Sequence, residues 1–237
     1  MTMSKWFFTS DLHLDHANII RYCNRPFGSV EEMNEGIIGA INDSVGHKDN
    51  LLILGDFCLV KASNALERYS HFRSQIRCKN VTLVLGNHDR EEEASRVFGP
   101  CPQIKTLKMD GNYIVCSHYP MRSWDRAAHG SWMLYGHVHN AYRNEDEAGL
   151  STWKDLHFRK VFSSILARHG AESQQILNEL MTGLVSLSGS DLTLDVGVDN
   201  VRHGKAFGAP WSLDEVAEIM AMKLPLWEMR RQISNRC

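Results

Sequence analysis

Val81-Thr82-Leu83-Val84-Leu85-Gly86-Asn87-His88-Asp89 is an apolar run that stops abruptly in glycine and three polar residues. A run this short, rich in branched aliphatics and closed by glycine, reads as a buried strand and not as a helix. The same form recurs along the chain. Residues 6–9 end at Ser10-Asp11-Leu12-His13, and residues 51–54 end at Gly55-Asp56. Residues 113–116 end at Ser117-His118, and residues 132–135 end at Gly136-His137-Val138-His139.

Helical stretches separate several of these runs. Ser29 and Glu32 are spaced as a capping box ahead of Met33, Ile37, Ile38 and Ile41, which fall on one helix face. Residues 62–76 form a second candidate, with Leu66, Tyr69 and Phe72 spaced by three. Strands alternating with helices argue α/β layering. In open α/β sheets ligand sites gather beyond the carboxyl ends of strands, so the polar clusters are expected to meet at one edge.

The rest of the chain bounds this reading. Its 237 residues suit a single domain, 1–237, carrying an insertion at 145–190. Within that insertion Phe158, Phe162, Ile165, Leu166, Ile176, Leu177, Leu180, Met181 and Leu184 recur at helical spacing, which predicts two helices parted near Gly170. A small core of their own is the favoured reading, and a lid or dimer contact the alternative. Residues 192–198 read as a late strand. Ser212 and Glu215 make a second capping box, opening a helix expected to run to about Lys223, ahead of Pro225.

At 43% hydrophobic and 23% charged residues the composition is globular, and a formal net charge of -2 gives no global basic field to recruit nucleic acid. A local basic groove remains compatible with that number. Six cysteines are scattered without a CxxC pair, and Cys58 and Cys116 sit in or beside apolar runs as small core residues. That usage fits a reducing compartment better than a disulfide framework or a zinc ribbon. No segment is apolar for long enough to span a bilayer. The expectation is a soluble cytoplasmic protein; its oligomeric state is not legible.

Asp11, His13, Asp56, Asn87, His118, His137 and His139 can all ligate metals. Carboxylates can bridge two cations, imidazole suits Mn, Fe, Zn, Co or Ni, and an amide oxygen suits a harder ion. The absence of cysteine from the set argues against a closed structural zinc site. Asp11 and His13, like His137 and His139, stand two apart, which on a straight strand puts each pair on one face. Alone, each motif passes for a surface turn or a chance histidine pair. Together, each at the end of a predicted strand, they do not.

The order Asp-x-His, Gly-Asp, Gly-Asn-His-Asp, His, Gly-His-x-His, covering about residues 6–139, resembles that of the calcineurin-like metallophosphoesterases. The resemblance implies a four-layer αββα sandwich, two mixed sheets flanked by helices, with metals at one sheet edge. It places Asp11, His13, Asp56 and His139 on one divalent metal ion. Asp56, as a bridge, joins Asn87, His118 and His137 on a second. Manganese is the preferred metal of the five. His88 is then not a ligand but faces the leaving group as general acid, with Asp89 orienting it or simply capping the turn. Two cations about 3.5–4 Å apart polarise phosphoryl oxygens and lower the pKa of a bridging water, giving hydroxide for in-line attack.

Protein Ser/Thr phosphatases of that family carry a second Asp three residues beyond the Gly-Asp, followed by Arg. Leu59 and Val60 stand there, so that activity is not expected. The chain looks more like the family's small bacterial and phage phosphoesterases, with which it shares Asp11-Leu12-His13-Leu14-Asp15-His16-Ala17-Asn18-Ile19 and Asn24-Arg25-Pro26-Phe27. On that closer likeness Asn18 and Arg25 are candidates for the substrate phosphate, the latter through its bidentate fork. The alternative for Arg25 is a surface residue steering the turn before Pro26. His16 is either a hydrogen-bond partner of a ligand or the start of a helix. Tyr119, Arg122, Trp124 and His129 follow His118 and could line a pocket suited to a nucleobase, unless Trp124 is core.

The expected function is hydrolysis of a phosphodiester or phosphomonoester on a small, nucleotide-like substrate, without a membrane partner. A nuclease acting on DNA or RNA is the first alternative. A metal-stabilised binding domain without catalysis is the second, and the presence of His88 beside all seven ligands speaks against it.

Overall fold

The computed structural model describes residues 4–140, 192–202 and 204–234, so the two helices expected within 145–190 lie outside it. The chain divides into two compact units, Met1–Asn140 with Thr193–Ile219 and Ala141–Leu192 with Met220–Cys237. The first holds every described strand and all the candidate site residues.

In chain order its elements are β1 (Trp6–Thr9), α1 (Ala17–Tyr22), α2 (Val30–Ser44), β2 (Asn50–Leu54), α3 (Ala65–Gln75), β3 (Asn80–Val84), α4 (Glu91–Phe98), β4 (Ile104–Met109), β5 (Asn112–Ser117), β6 (Trp132–Tyr135), β7 (Thr193–Asp195) and β8 (Trp211–Ser212). A final helix, α5 (Leu213–Ser234), starts in this unit.

The strands form two mixed sheets, flanked by helices as expected. In the first, ordered β3-β2-β1-β8, β1, β2 and β3 run parallel and β8 is antiparallel to β1. In the second, ordered β4-β5-β6-β7, β5, β6 and β7 run parallel and β4 pairs antiparallel with β5. Parallel strands covered on both faces read as unbroken apolar runs, which is why Leu51, Leu52, Ile53 and Leu54 are all buried. One face of the first sheet, through Phe7, Leu51, Ile53 and Leu83, joins a core with Met33, Ile37 and Ile41 of α2 and Tyr69 and Phe72 of α3. Leu66, expected on that face of α3, is instead 39% exposed.

Strand β4 was not legible, because Lys105 and Lys108 interrupt its apolar character and its burial alternates at the sheet edge. Its turn to β5 uses Asp110 (φ 49°) and Gly111 (φ 80°), the left-handed pair that a two-residue hairpin requires. Both capping boxes form, with a difference. Ser29 Oγ accepts from Glu32 N, but the Glu32 carboxylate reaches Gly28 N instead of Ser29. Ser212 and Glu215 exchange bonds reciprocally. The helix they open does not stop at Lys223 but passes through Pro225 to Ser234. Proline removes one backbone bond there, at an exposed position where water can take the freed carbonyl.

Cys58 and Cys116 are buried, and no disulfide occurs among the described residues. Among those residues no helix is long and apolar enough to cross a membrane. The carboxyl ends of β1, β2 and β3 point to one edge, and a bridge between Ser10 and Gly197 joins that edge to the end of β7 in the second sheet.

Candidate metal centre

The loops leaving β1 and β2 continue side by side beyond their strands. Asp11 N donates to Gly55 O (3.0 Å), His13 N to Asp56 O (2.9 Å) and Leu14 N to Phe57 O (3.1 Å). The loop after β3 is fastened to them by the half-buried Asp89. Its Oδ2 accepts from Asp56 N and Gly86 N, and its Oδ1 from Phe57 N and the Tyr69 hydroxyl. Asp89 therefore caps the turn and does not orient His88. The loop after β6 is held by the Asp11 carboxylate, which accepts from His137 N at 2.9 Å, and by Asp195, which accepts from Asn140 N at 2.9 Å.

The glycines of the motifs make this closeness possible. A Cβ on Gly136 would overlap Ser10 Oγ and Asp11 Oδ2. Gly55 adopts φ 89°, and a Cβ there would lie 2.5 Å from His118 Nδ1.

The seven candidate ligands meet in this space. His13 Nε2 and His118 Nε2 each lie 3.4 Å from Asp56 Oδ2, so Asp56 stands between two groups of donors. Asp11, His13 and His139 place donor atoms within 4.8 Å of one another on one side. On the other, Asn87 Oδ1 lies 2.9 Å from His118 Nε2 and 3.0 Å from His137 Nδ1. The Asp-x-His and His-x-His pairs do not arrive there by strand alternation, as the spacing suggested. Asp11 (φ 58°), His13 (φ 51°), Asp56 (φ 54°), His137 (φ 72°) and His139 (φ 48°) are all left-handed. Such conformations cost about 1–3 kcal/mol each and persist where the surrounding structure over-determines them.

Hydrogen bonds fix which ring nitrogens face the centre. The Leu54 carbonyl can only accept, so His118 Nδ1 carries the hydrogen and donates to it at 2.8 Å. In the neutral ring the Nε2 lone pair then faces Asn87 Oδ1 and Asp56 Oδ2. His139 Nδ1 donates to Asp199 Oδ2 at 2.7 Å, turning its Nε2 toward Asp11. His13 Nδ1 meets His16 Nδ1 at 3.3 Å, while His13 Nε2 is buried with no hydrogen-bond partner among the described residues. Lone pairs converging without a donor between them fit a cation.

Burial and mutual contact perturb three of these groups. Burial, with the carboxylates of Asp195 and Asp56 adding to it, pushes Asp11 up to about 8 against the opposing pull of His139. Burial and the neighbouring His139 and Arg25 hold His13 well below the usual histidine range. Burial pulls His139 down, but hydrogen bonds to Asp199 and Cys23 and the charge of Asp11 outweigh it and raise the ring to about 10.

His88 stands exposed at the rim, its ring 5.2 Å from that of His13. Its backbone N–H donates to Asp56 Oδ1. Asn18 is exposed on α1. His16 fills both of its expected positions, since it stands at the start of α1, without a side-chain capping bond, and meets His13. Trp124 is half-buried and packs against the core of Val115 and Met133, whereas Tyr119 is 47% exposed with its ring 4.7 Å from that of His137. Arg122 and His129 are exposed.

Arg25 requires a correction. Its side chain has no exposed surface, and every guanidinium nitrogen is engaged inside the protein. Nε and Nη2 bind the Asp199 carboxylate at 2.9 and 2.8 Å, Nη2 also donates to Asp11 O, and Nη1 donates to Leu12 O and Met33 Sδ. No donor remains for a phosphate, nor does the residue lie on the surface. The sequence reading missed the role of Asp199. The signal was present: Asp195-Val196-Gly197-Val198-Asp199 closes a strand in acid and glycine as the other motifs do.

The model of the calcineurin-like phosphoesterase superfamily domain matches residues 5–154. An uncharacterized protein of Methanocaldococcus jannaschii is 36% identical over 147 residues, covering 61% of this chain and 75% of that protein. The gene 66 protein of Mycobacterium phage L5 is 29% identical over 191 residues, covering 65% of this chain and 90% of its own length. Among solved structures, a protein of unknown function from Aquifex aeolicus aligns with a TM-score of 0.46 at 23% identity, over 58% of this chain and 80% of that one.

Proposed function

The chain belongs to the calcineurin-like phosphoesterase superfamily, a family of metal-dependent phosphoesterases, and from that premise we propose that it hydrolyses a phosphodiester or phosphomonoester of a small, nucleotide-like substrate. Asp11, His13, Asp56 and His139 would hold one divalent cation, and Asp56, Asn87, His118 and His137 a second. The observation that carries this reading is Asp56, whose carboxylate lies 3.4 Å from both His13 Nε2 and His118 Nε2. When bound, such cations polarise phosphoryl oxygens and supply a water of lowered pKa.

The chain's own groups supply the rest. With cations bound, Asp11 and Asp56 would be held ionised and bring negative charge, and the backbone bonds to Asp11 and Asp56 Oδ1 fix where their remaining lone pairs point. His88, at the open rim beside His13, protonates the leaving alkoxide as the bond from phosphorus to the ester oxygen breaks. Its exposure leaves room for a substrate to stand against it. Hydrolysis of a nitrophenyl phosphodiester by the metal-loaded protein tests the assignment. Asp56→Asn is expected to abolish it, and His88→Ala to lower kcat by about 10²–10⁴-fold for an ester with a poor leaving group. Wild-type rates in both variants would sink it.

A further inference from the structure

Beside the ligand cluster lies a cavity of about 430 Å³, and Asn87 belongs to the walls of both. The volume falls in the range of small-molecule sites, which combine apolar walls with a few placed polar groups. Ile104 and Tyr119, 51% and 47% exposed, line it together with Met121. Tyr119 meets His118 and His137 edge to face, ring centroids 5.0 and 4.7 Å away. Those contacts hold the ring, and its remaining surface stays open. Gln103 adds an amide with both a donor and an acceptor, and Glu91 adds a carboxylate.

The charge around the cavity restricts its occupant. Glu91, in the first turn of α4, faces it, whereas Glu92 and Glu93 lie outside its lining and pair with Arg96 and Arg90. A second phosphate placed there would meet like charge. A neutral, flat group that stacks on an aromatic wall and donates hydrogen bonds would not. We propose that this cavity binds the organic part of the substrate, a nucleobase, stacked between Tyr119 and Ile104 with its ring N–H or amino group meeting Glu91 and its other edge meeting Gln103. The proposal rests on the phosphoesterase reading and narrows it. A mononucleoside ester fits, whereas a polynucleotide would carry further phosphates past Glu91.

Two diesters with the same leaving group test this on the metal-loaded full chain: the 4-nitrophenyl esters of thymidine 5′-phosphate and of methyl phosphate. The expected ratio of kcat/KM, thymidyl over methyl, is at least about fivefold, the lower end of what stacking a base on an aromatic contributes. Gln103→Ala and Ile104→Asp, both at exposed positions, are each expected to bring that ratio toward one. The ratio does not depend on the fraction of folded enzyme, so partial misfolding cannot imitate the result. Equal efficiency on both esters leaves the phosphoesterase reading standing and overturns the nucleobase site, as does a ratio unmoved in both variants. If neither ester is hydrolysed the nucleobase site falls, and the phosphoesterase reading falls with it when 4-nitrophenyl phosphate, a monoester, is not turned over either.

Discussion

Asp199 accepts a hydrogen bond from His139 Nδ1 at 2.7 Å while its two oxygens are gripped by Arg25, a residue 174 positions earlier. The histidine is thereby held with Nε2 toward Asp11. A carboxylate behind a ligating histidine fixes its tautomer and raises its basicity, and losing such a partner typically costs 10–100-fold in metal affinity.

Asp199→Asn keeps an acceptor for His139 but removes the charge. It is expected to weaken binding of one divalent cation by about 10–100-fold. Calorimetric titration of the metal-free protein, with metal content measured on the purified variant, checks this. Unchanged affinity would mean that Asp199 is only a packing partner of Arg25.

Arg25→Met separates a structural guanidinium from a phosphate contact. The pair it forms with Asp199 is almost wholly buried, at 0% and 5% side-chain exposure, and breaking one side of such a pair costs about 3–5 kcal/mol. Urea unfolding of the metal-free variant is expected to show that loss. Arg25→Lys should recover little of it, because lysine cannot reproduce the planar fork. A raised KM with unchanged unfolding would restore the substrate role that the geometry removes.

The convergence of the candidate ligands was legible and the scaffold behind them was not, for a definable reason. Each candidate ligand follows a largely apolar strand, so hydrophobic patterning and residue type are both local signals, and the order of Asp11, Asp56, Asn87, His118 and His137 could be read in sequence. Arg25 has no local signal. Its partners, Asp199, Asp11 O, Leu12 O and Met33, assemble only after β1, α2 and the end of β7 have come together. Spacing was misleading where the backbone leaves the strand: Asp11 and His13 converge through left-handed turns, which a period of two does not describe. Strand β4 was hidden by its lysines, and α5 ran past a proline at a position where solvent tolerates it.

Two glycines predict opposite outcomes. A methyl group on Gly136 would strike Ser10 Oγ and Asp11 Oδ2, and Ser10 cannot swing aside without breaking its bond to Leu54 O. Gly136→Ala is expected to destabilise by about 1–3 kcal/mol and to displace Asp11 from the ligand set. At Gly39, inside α2, an added methyl group would meet no atom within 4 Å, so Gly39→Ala should stabilise by about 0.5–1 kcal/mol. Urea unfolding of both against the wild type decides. A tolerated Gly136→Ala would mean that the loops after β1 and β6 are not so closely apposed.

The acid limb of stability has a contributor remote from the metal centre. Burial pushes Glu215 up, but bonds from Ser212 N and Lys205 and the charge of Arg202 outweigh it, so its folded pKa lies below the ordinary glutamate value. In the window between the two values the unfolded chain binds the extra proton. Stability therefore rises with pH across it. The contribution is complete above the unfolded pKa, about 4.3, and is lost as pH falls through the folded one. Glu215→Gln keeps an oxygen to cap Ser212 N but gives up Lys205, 3.0 Å away, and Arg202. The stability gap between wild type and variant is expected to be widest near neutral pH and to close below about pH 4. A gap that persists undiminished to pH 3 would show that capping geometry, and not charge, is what Glu215 contributes.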